Sequence, residues 1–398
     1  MTGDAVGSTS WRRAEAERLL RFAAGAAVEG GFGWLDDDGA LLTADRRELW
    51  INARMTYVFS EAQRRGLPGA DDLARHGVRA LLTGFRDPLH GGWFRVVDDQ
   101  GPVDATKACY EHAFVVLAGS AAVRAGVDEG DDLLASALEV HASRFWDDAA
   151  GRCVEEWSRD WTALDPYRGA NSNMHTVEAY LAAAHVTRDD VWVDRAASIS
   201  RAMAQVARAH GWRLVEHFDS AWTPLPDYHH DRPRDRFRPF GATPGHAFEW
   251  ARLLTEVSDA TDAEDPALLE TAVALFDRAV ADTDGGADGF CYTTDWTGRA
   301  VVAERFHWVV CEAILAADAL SAAVPDDPRF AAHYDEWWRF AGEHLVDRDR
   351  GSWWHELSPD LVPSATTWRG KPDVYHAFNA CVLPGGAPAA AEGTTLTD

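Results

Sequence analysis

The chain has 398 residues, 46% of them hydrophobic, with 18 Trp and 17 Phe, a composition that excludes wholesale disorder and suits two ordinary domains or one large repetitive one. A formal net charge of −26 argues against a nucleic-acid partner, because phosphate binding needs a basic face. Five cysteines, odd in number and never in a CxxC arrangement, point to reduced core thiols in a cytosolic protein, and no apolar run approaches the roughly 20 residues of a membrane span or the core of a signal segment.

Residues 1–10 read as a disordered end, residues 11–384 as one domain, and residues 385–398 as a disordered tail. Within the domain a Gly-aromatic phrase recurs: GGFGW from Gly30, GGWFR from Gly91, GRCVEEW from Gly151, GWRLVEHF from Gly211, GADGFCY from Gly286 and GSWWHEL from Gly351. The starts lie 60 to 75 residues apart, too far for short solenoid repeats and enough for two helices per unit.

The segments between phrases are of two kinds. DDLARHGVRALLTGF, DDLLASALEVHASRFW, VWVDRAASISRAMAQVARAH and PALLETAVALFDRAVADT carry apolar residues at helical spacing after Asp-rich or Pro starts, as amphipathic helices do. MTYVFSEAQ, HAFVVLAGSAAVRA, HTVEAYLAAA, HAFEWARLLTEV, HWVVCEAILAADAL and HAFNACV are apolar nearly all round, the mark of buried helices. Six alternations of outer and inner helix predict an all-α fold, an (α/α)6 barrel of six inner and six outer helices.

Each inner helix starts near a polar residue: Arg54, His112, His175, His246, His307 and His376, 58 to 71 residues apart, with the triplet HAF at units two, four and six. If phase is kept, all six side chains share one end of the barrel. Asn171, Asn173 and Thr243-Pro244 are helix-start signals, and a histidine in the first turn is held neutral by the helix dipole, so it is able to act as a base. Converging helix N-termini with Arg54 favour a developing oxyanion. Glu178 and Glu249 follow His175 and His246 by three residues, on the same helix face, so Glu249 is expected to orient His246. The same spacing also suits metal ligands, although carboxylate-bridged bundles add further Glu on neighbouring helices. The stretch DYHHDRPRDRFRPFGATPGHAF reads as a long loop over the barrel mouth, with Arg238 either a substrate clamp or a structural ion pair. Trp50 and Trp308, beside the polar ring, either stack on a sugar face or pack between units. The two lysines, Lys107 and Lys371, sit in no Gly-rich loop.

With NARMTYVF, YRGANSNMHTVEAYLAAA, GATPGHAFEWARLL, RFHWVVCEAILAA and GKPDVYHAFNACV in order, the chain from Trp11 to Leu383 resembles the N-acylglucosamine 2-epimerase superfamily. Within it the chain is most similar to the mannose isomerase branch, whose relatives include sulfoquinovose isomerase. The resemblance implies the same barrel and a cofactor-free, metal-free interconversion of aldose and ketose through a cis-enediol. It implies that His246 and His376 transfer protons, Glu249 supports His246, His175 assists ring opening and Arg54 holds the enediolate oxygens. Asn171, Arg238, Tyr110, Trp308 and Glu312 match positions lining the sugar pocket, while His112 and His307 share the ring without an assigned step. A sugar 2-epimerase, a glycoside hydrolase using Glu155-Glu156 and a non-catalytic sugar-binding protein are the competing readings. Nothing in the pattern distinguishes a monomer from a homo-oligomer.

Overall fold

The computed structural model describes residues 4–43, 46–261 and 265–385. Twelve helices appear among them: α1 Thr9–Ala23, α2 Leu49–Arg64, α3 Asp71–Thr83, α4 Cys109–Ala125, α5 Gly130–Val140, α6 Ala170–Thr187, α7 Val191–Ala209, α8 Pro244–Ala260, α9 Pro266–Asp282, α10 His307–Ala323, α11 Arg329–Phe340 and α12 Tyr375–Val382. The even-numbered helices pack side by side in a ring that closes between α12 and α2, and each has an odd-numbered helix outside it, α1 serving α12. This is the (α/α)6 barrel. Patterning explains the layers: α2 buries every residue from Leu49 to Ala62, whereas α3 buries only its Ala74, Gly77, Val78, Ala80 and Leu81 face. No helix among the described residues is long and apolar enough to cross a membrane.

Short antiparallel strand pairs, which helical periodicity does not signal, occupy one end of the barrel. The strand before an inner helix pairs with the Gly phrase of the next unit: Arg47–Glu48 with Val96–Val97, Lys107–Ala108 with Glu156–Trp157, Arg168–Gly169 with His217–Phe218, and Arg305–Phe306 with Glu356–Leu357. The first N–H of each of these helices donates to a carbonyl in that neighbouring phrase: Leu49 to Arg95 (2.9 Å), Cys109 to Glu155 (2.8 Å), Ala170 to Glu216 (2.9 Å) and His307 to His355 (3.2 Å). These bonds satisfy donors that a helix start leaves open, without a side-chain cap. Asn171 and Asn173 are therefore not caps but residues of α6, whose N-cap is Gly169; Thr243 holds the N-cap position of α8 without a capping bond, and Pro244 is its first helical residue.

The expected disorder of residues 1–10 is corrected for 4–10. Ser8 caps α1 through Trp11 N, Val6 lies against Gly342 and Gly7 against Trp338. Residues 1–3 and 386–398 lie outside the described residues. The five cysteines are unpaired and buried, and the lysines are sealed in ion pairs, Lys107 with Asp87 (3.1 Å) and Lys371 with Asp347 (2.6 Å).

Candidate active site

A cavity opens at the strand-bearing end of the barrel. Most of its wall comes from two tiers of inner-helix residues. The second residue of each inner helix is Trp50, Tyr110, Asn171, Gly245, Trp308 or His376; the sixth is Arg54, Phe114, His175, Glu249, Glu312 or Ala380. Residues four apart stack on one helix face, so the tiers form an upper and a lower ring around the axis. Trp50, Arg54, Tyr110, Asn171, His175, His246, Glu249, His307, Trp308 and His376 all border the cavity.

The six polar helix starts are thus not in register. Arg54 and His175 are sixth in their helices, His112 fourth, His246 third, His376 second and His307 first. His112 is the casualty: it does not border the cavity. Its Nε2 accepts from Trp93 N (3.1 Å) and its Nδ1 donates to Ala108 O (2.7 Å). The fourth residues of α2 and α6 do the same: Asn52 Oδ1 accepts from Phe32 N (2.7 Å) while its amide donates to Glu48 O, and Asn173 Oδ1 accepts from Cys153 N (2.9 Å) while its amide donates to Gly169 O. His112 is a brace for a Gly phrase. The glycines admit the brace: at Gly31 (φ +141°) a Cβ would collide with Asn52 Oδ1, and at Gly92 (φ +68°) it would lie 3.0 Å from His112 Nε2.

The carboxylate behind His246 is Glu216, whose Oε1 lies 2.9 Å from His246 Nδ1; the expected partner, Glu249, faces His175 instead, 3.5 Å from its Nδ1. The reason is register, since Glu249 is in the lower tier with His175 and His246 is one position past the upper tier. Glu216 belongs to the Gly211 phrase, and aligning the phrases would have found it, because Arg95, Glu155 and Glu216, equivalent in their phrases, pair with the third residue of the next inner helix, Glu111, Ser172 and His246. Glu178 does approach His175, at 3.4 Å. Glu312, expected to touch substrate, lies one layer back with Oε1 2.7 Å from His376 Nδ1. With Nδ1 of both His246 and His376 on a carboxylate, Nε2 of each is the nitrogen without a partner among the described residues. The two rings flank Trp308, at centroid distances of 5.2 and 5.7 Å.

Burial, with Arg54 adding its charge, holds His376 well below the ordinary imidazole value; burial alone dominates at His175, which is lowered to about 4, and at His307. Burial also pushes Glu249 well above the usual carboxylate range, with Glu312 and Glu178 raising it further. Arg54 Nη2 donates to Tyr110 Oη (3.0 Å), and Nη1 lies 3.6 Å from Asp373. Asn171 Oδ1 and His307 Nε2, both on cavity-lining residues, are buried without hydrogen-bond partners among the described residues, and a hydroxylated ligand would satisfy them.

The loop over the mouth contributes Arg236 and Phe237 to the cavity, not Arg238. Arg238 lies farther out, over the Tyr167 ring (4.0 Å), in a vestibule that also holds Glu155 and Glu156. That acidic pair, the hydrolase candidate, is occupied there: Glu155 accepts from Ser172 Oγ (2.6 Å) and Glu156 pairs with Arg95 (2.9 Å). Two groups among the described residues bring metal-ligating atoms together, Cys109–His141–Cys153 and His175–Glu178–Glu249. The first is sealed in the core beside Thr176 and Tyr180; in the second, Tyr375 Oη and Arg252 already occupy Glu178.

The sequence model of the family described as N-acylglucosamine 2-epimerase (GlcNAc 2-epimerase) matches residues 30–380. Over 381 residues the chain is 47% identical to a D-mannose isomerase from Thermobifida fusca, covering 94% of this chain and 93% of that one. It is 45% identical over 387 residues to a D-mannose isomerase from Pseudomonas cannabina pv. alisalensis, covering 94% and 92%. A solved D-mannose isomerase structure superimposes with a TM-score of 0.89 at 28% identity, covering 96% of this chain and 98% of that one. The chain belongs to the N-acylglucosamine 2-epimerase family.

Proposed function

We propose that the protein is an aldose–ketose isomerase that interconverts D-mannose and D-fructose through a cis-enediol, with His246 and His376 as the acid–base pair. The observation that carries this reading is that two imidazoles open on one cavity, each with Nδ1 on a buried carboxylate and Nε2 free. A carboxylate on Nδ1 fixes the tautomer with its lone pair on Nε2 and steadies the imidazolium that forms when a proton arrives.

The steps balance without an external reagent. After ring opening assisted by His175, one imidazole takes the C2 proton, and the electron pair moves into a C1–C2 double bond as O1 becomes an oxyanion. Arg54, which borders the cavity from the lower tier, offsets that charge. O1 gains a proton as O2 loses one, C1 receives a proton from the pair, and the carbonyl now stands at C2. Trp50 and Trp308 offer faces to the sugar, while Tyr110 and Asn171 hold hydroxyls. Arg238, in the vestibule, meets sugars on their way in.

Incubation with D-mannose in deuterated water tests this. Fructose carrying solvent deuterium at C1 is the expected product; glucose labelled at C2 would replace the isomerase reading by 2-epimerisation on the same site. Binding of mannose with neither product would leave a sugar-binding protein.

A further inference from the structure

Behind the cavity, and not bordering it, the Arg252 side chain of α8 is buried among four carboxylates. Nη1 lies 3.0 Å from Glu256 Oε1, Nη2 lies 3.3 Å from Glu178 Oε1 and 3.9 Å from Glu249 Oε1, and Nε lies 3.5 Å from Glu312 Oε2. Three of the four continue to the site. Glu178 and Glu249 both approach His175 Nδ1, and Glu312 binds His376 Nδ1.

We propose that Arg252 is a positioning residue, a single guanidinium whose hold on Glu178, Glu249 and Glu312 fixes the orientation and tautomer of His175 and His376 together. The proposal deepens the isomerase reading and rests on it.

The physical argument turns on Glu312. A carboxyl group in a dry interior takes up a proton unless a cation stands near. Burial does push Glu312 upward, and Arg252 is the main opposing influence. As an anion, Glu312 accepts Nδ1–H of His376, and Nε2 keeps the lone pair needed to remove a proton. As a neutral acid it would donate to Nδ1 instead, placing the hydrogen of His376 on Nε2. The base would be lost although every heavy atom stayed in place. Other titratable groups face the same network: Tyr57 and Arg54 from α2, His175 from α6, and Tyr375 from α12, with Asp373, His307 and His355 around His376. Arg54 is a second cation acting on His376, but it contacts Tyr110 and Asp373 rather than Glu312.

The experiment is the pH dependence of kcat/KM for D-mannose in R252M, E312Q and the double variant. R252M is expected to shift the acid limb upward by about one pH unit or more, with KM held within about threefold because Arg252 does not border the cavity. A glutamine at 312 carries no titratable proton, so removing Arg252 in the E312Q background should shift the acid limb no further. A wild-type acid limb in R252M, or the same shift in the double variant as in R252M, overturns the proposal. If R252M does not fold, R252K decides: it keeps the charge but not the fork, so a smaller shift in the same direction is expected, and a wild-type profile and kcat refute it. H376A separates the two readings, since wild-type turnover there removes His376 from the reaction, whereas an inactive H376A beside an unshifted R252M removes Arg252 alone.

Discussion

His246 Nδ1 and Glu216 Oε1 lie 2.9 Å apart, both buried, joining the third residue of an inner helix to the Gly phrase of the preceding outer segment. If this carboxylate sets the tautomer of a working base, E216A should lower kcat by about 100-fold or more. KM should stay within about threefold, because Glu216 does not border the cavity. Steady-state kinetics with D-mannose measure both. A raised KM with intact kcat would mean that Glu216 only shapes the mouth.

H246A and H376A should each reduce turnover by about 1,000-fold or more while circular dichroism still reports the helical barrel. Both rings border the cavity, so truncation enlarges an existing opening and opens no new hole in the closed core. Near-normal rates in either variant would strike that residue from the mechanism.

The helices and their alternation were legible because burial writes itself into periodicity: an inner helix such as α10 is apolar all round, while α3 shows one face. Register within a helix was not legible. The HAF triplets look identical, yet His112 is fourth in α4, His246 third in α8 and His376 second in α12, and a helix turns about 100° per residue. One position therefore separates a brace from a cavity wall. Helix starts are fixed by strand pairing with the next unit, a long-range interaction that no local pattern carries. Glu216 was missed for the same reason, whereas the Glu178–His175 contact, local to one helix, was read correctly.

The brace itself predicts a separation of stability from activity at His112. H112A leaves Trp93 N–H buried without an acceptor and should destabilise the protein by about 1–3 kcal/mol in urea titrations. H112N should recover much of that loss, because Asn52 and Asn173 make the same pair of bonds in units one and three. H112N should also turn over D-mannose within about twofold of wild type. Lost turnover at wild-type stability would assign His112 to the chemistry instead.

Metal removal distinguishes the acid–base reading from a metal at His175, Glu178 and Glu249. Prolonged treatment with a chelator should leave kcat/KM unchanged, because Arg252 and Tyr375 already engage Glu178 and the proposed mechanism gives Arg54 the charge a Lewis acid would supply. A loss restored by added divalent ion would move the mechanism to metal-assisted hydride or proton transfer.

Burial of neutral imidazoles sets how stability responds to acid. His112 and His355 are lowered to about 3 and His175 and His217 to about 4, all chiefly by burial, and His307 and His376 are lowered as well. In the unfolded chain the same rings take up protons near pH 6.5. Below that value the unfolded state binds more protons than the folded one, so the contribution of these rings is complete above about pH 6.5 and is lost progressively as pH falls through about 4 toward 3. Glu249 and Glu312, raised by burial, act with the opposite sign and soften the decline. The urea midpoint should therefore fall steadily below about pH 6.5, each ring contributing up to about 1.4 kcal/mol per pH unit. In H112N one such ring is gone, so the decline should be shallower by one ring's share. A midpoint that rises on acidification, or a slope untouched by H112N, would show that these rings are not held neutral by the fold.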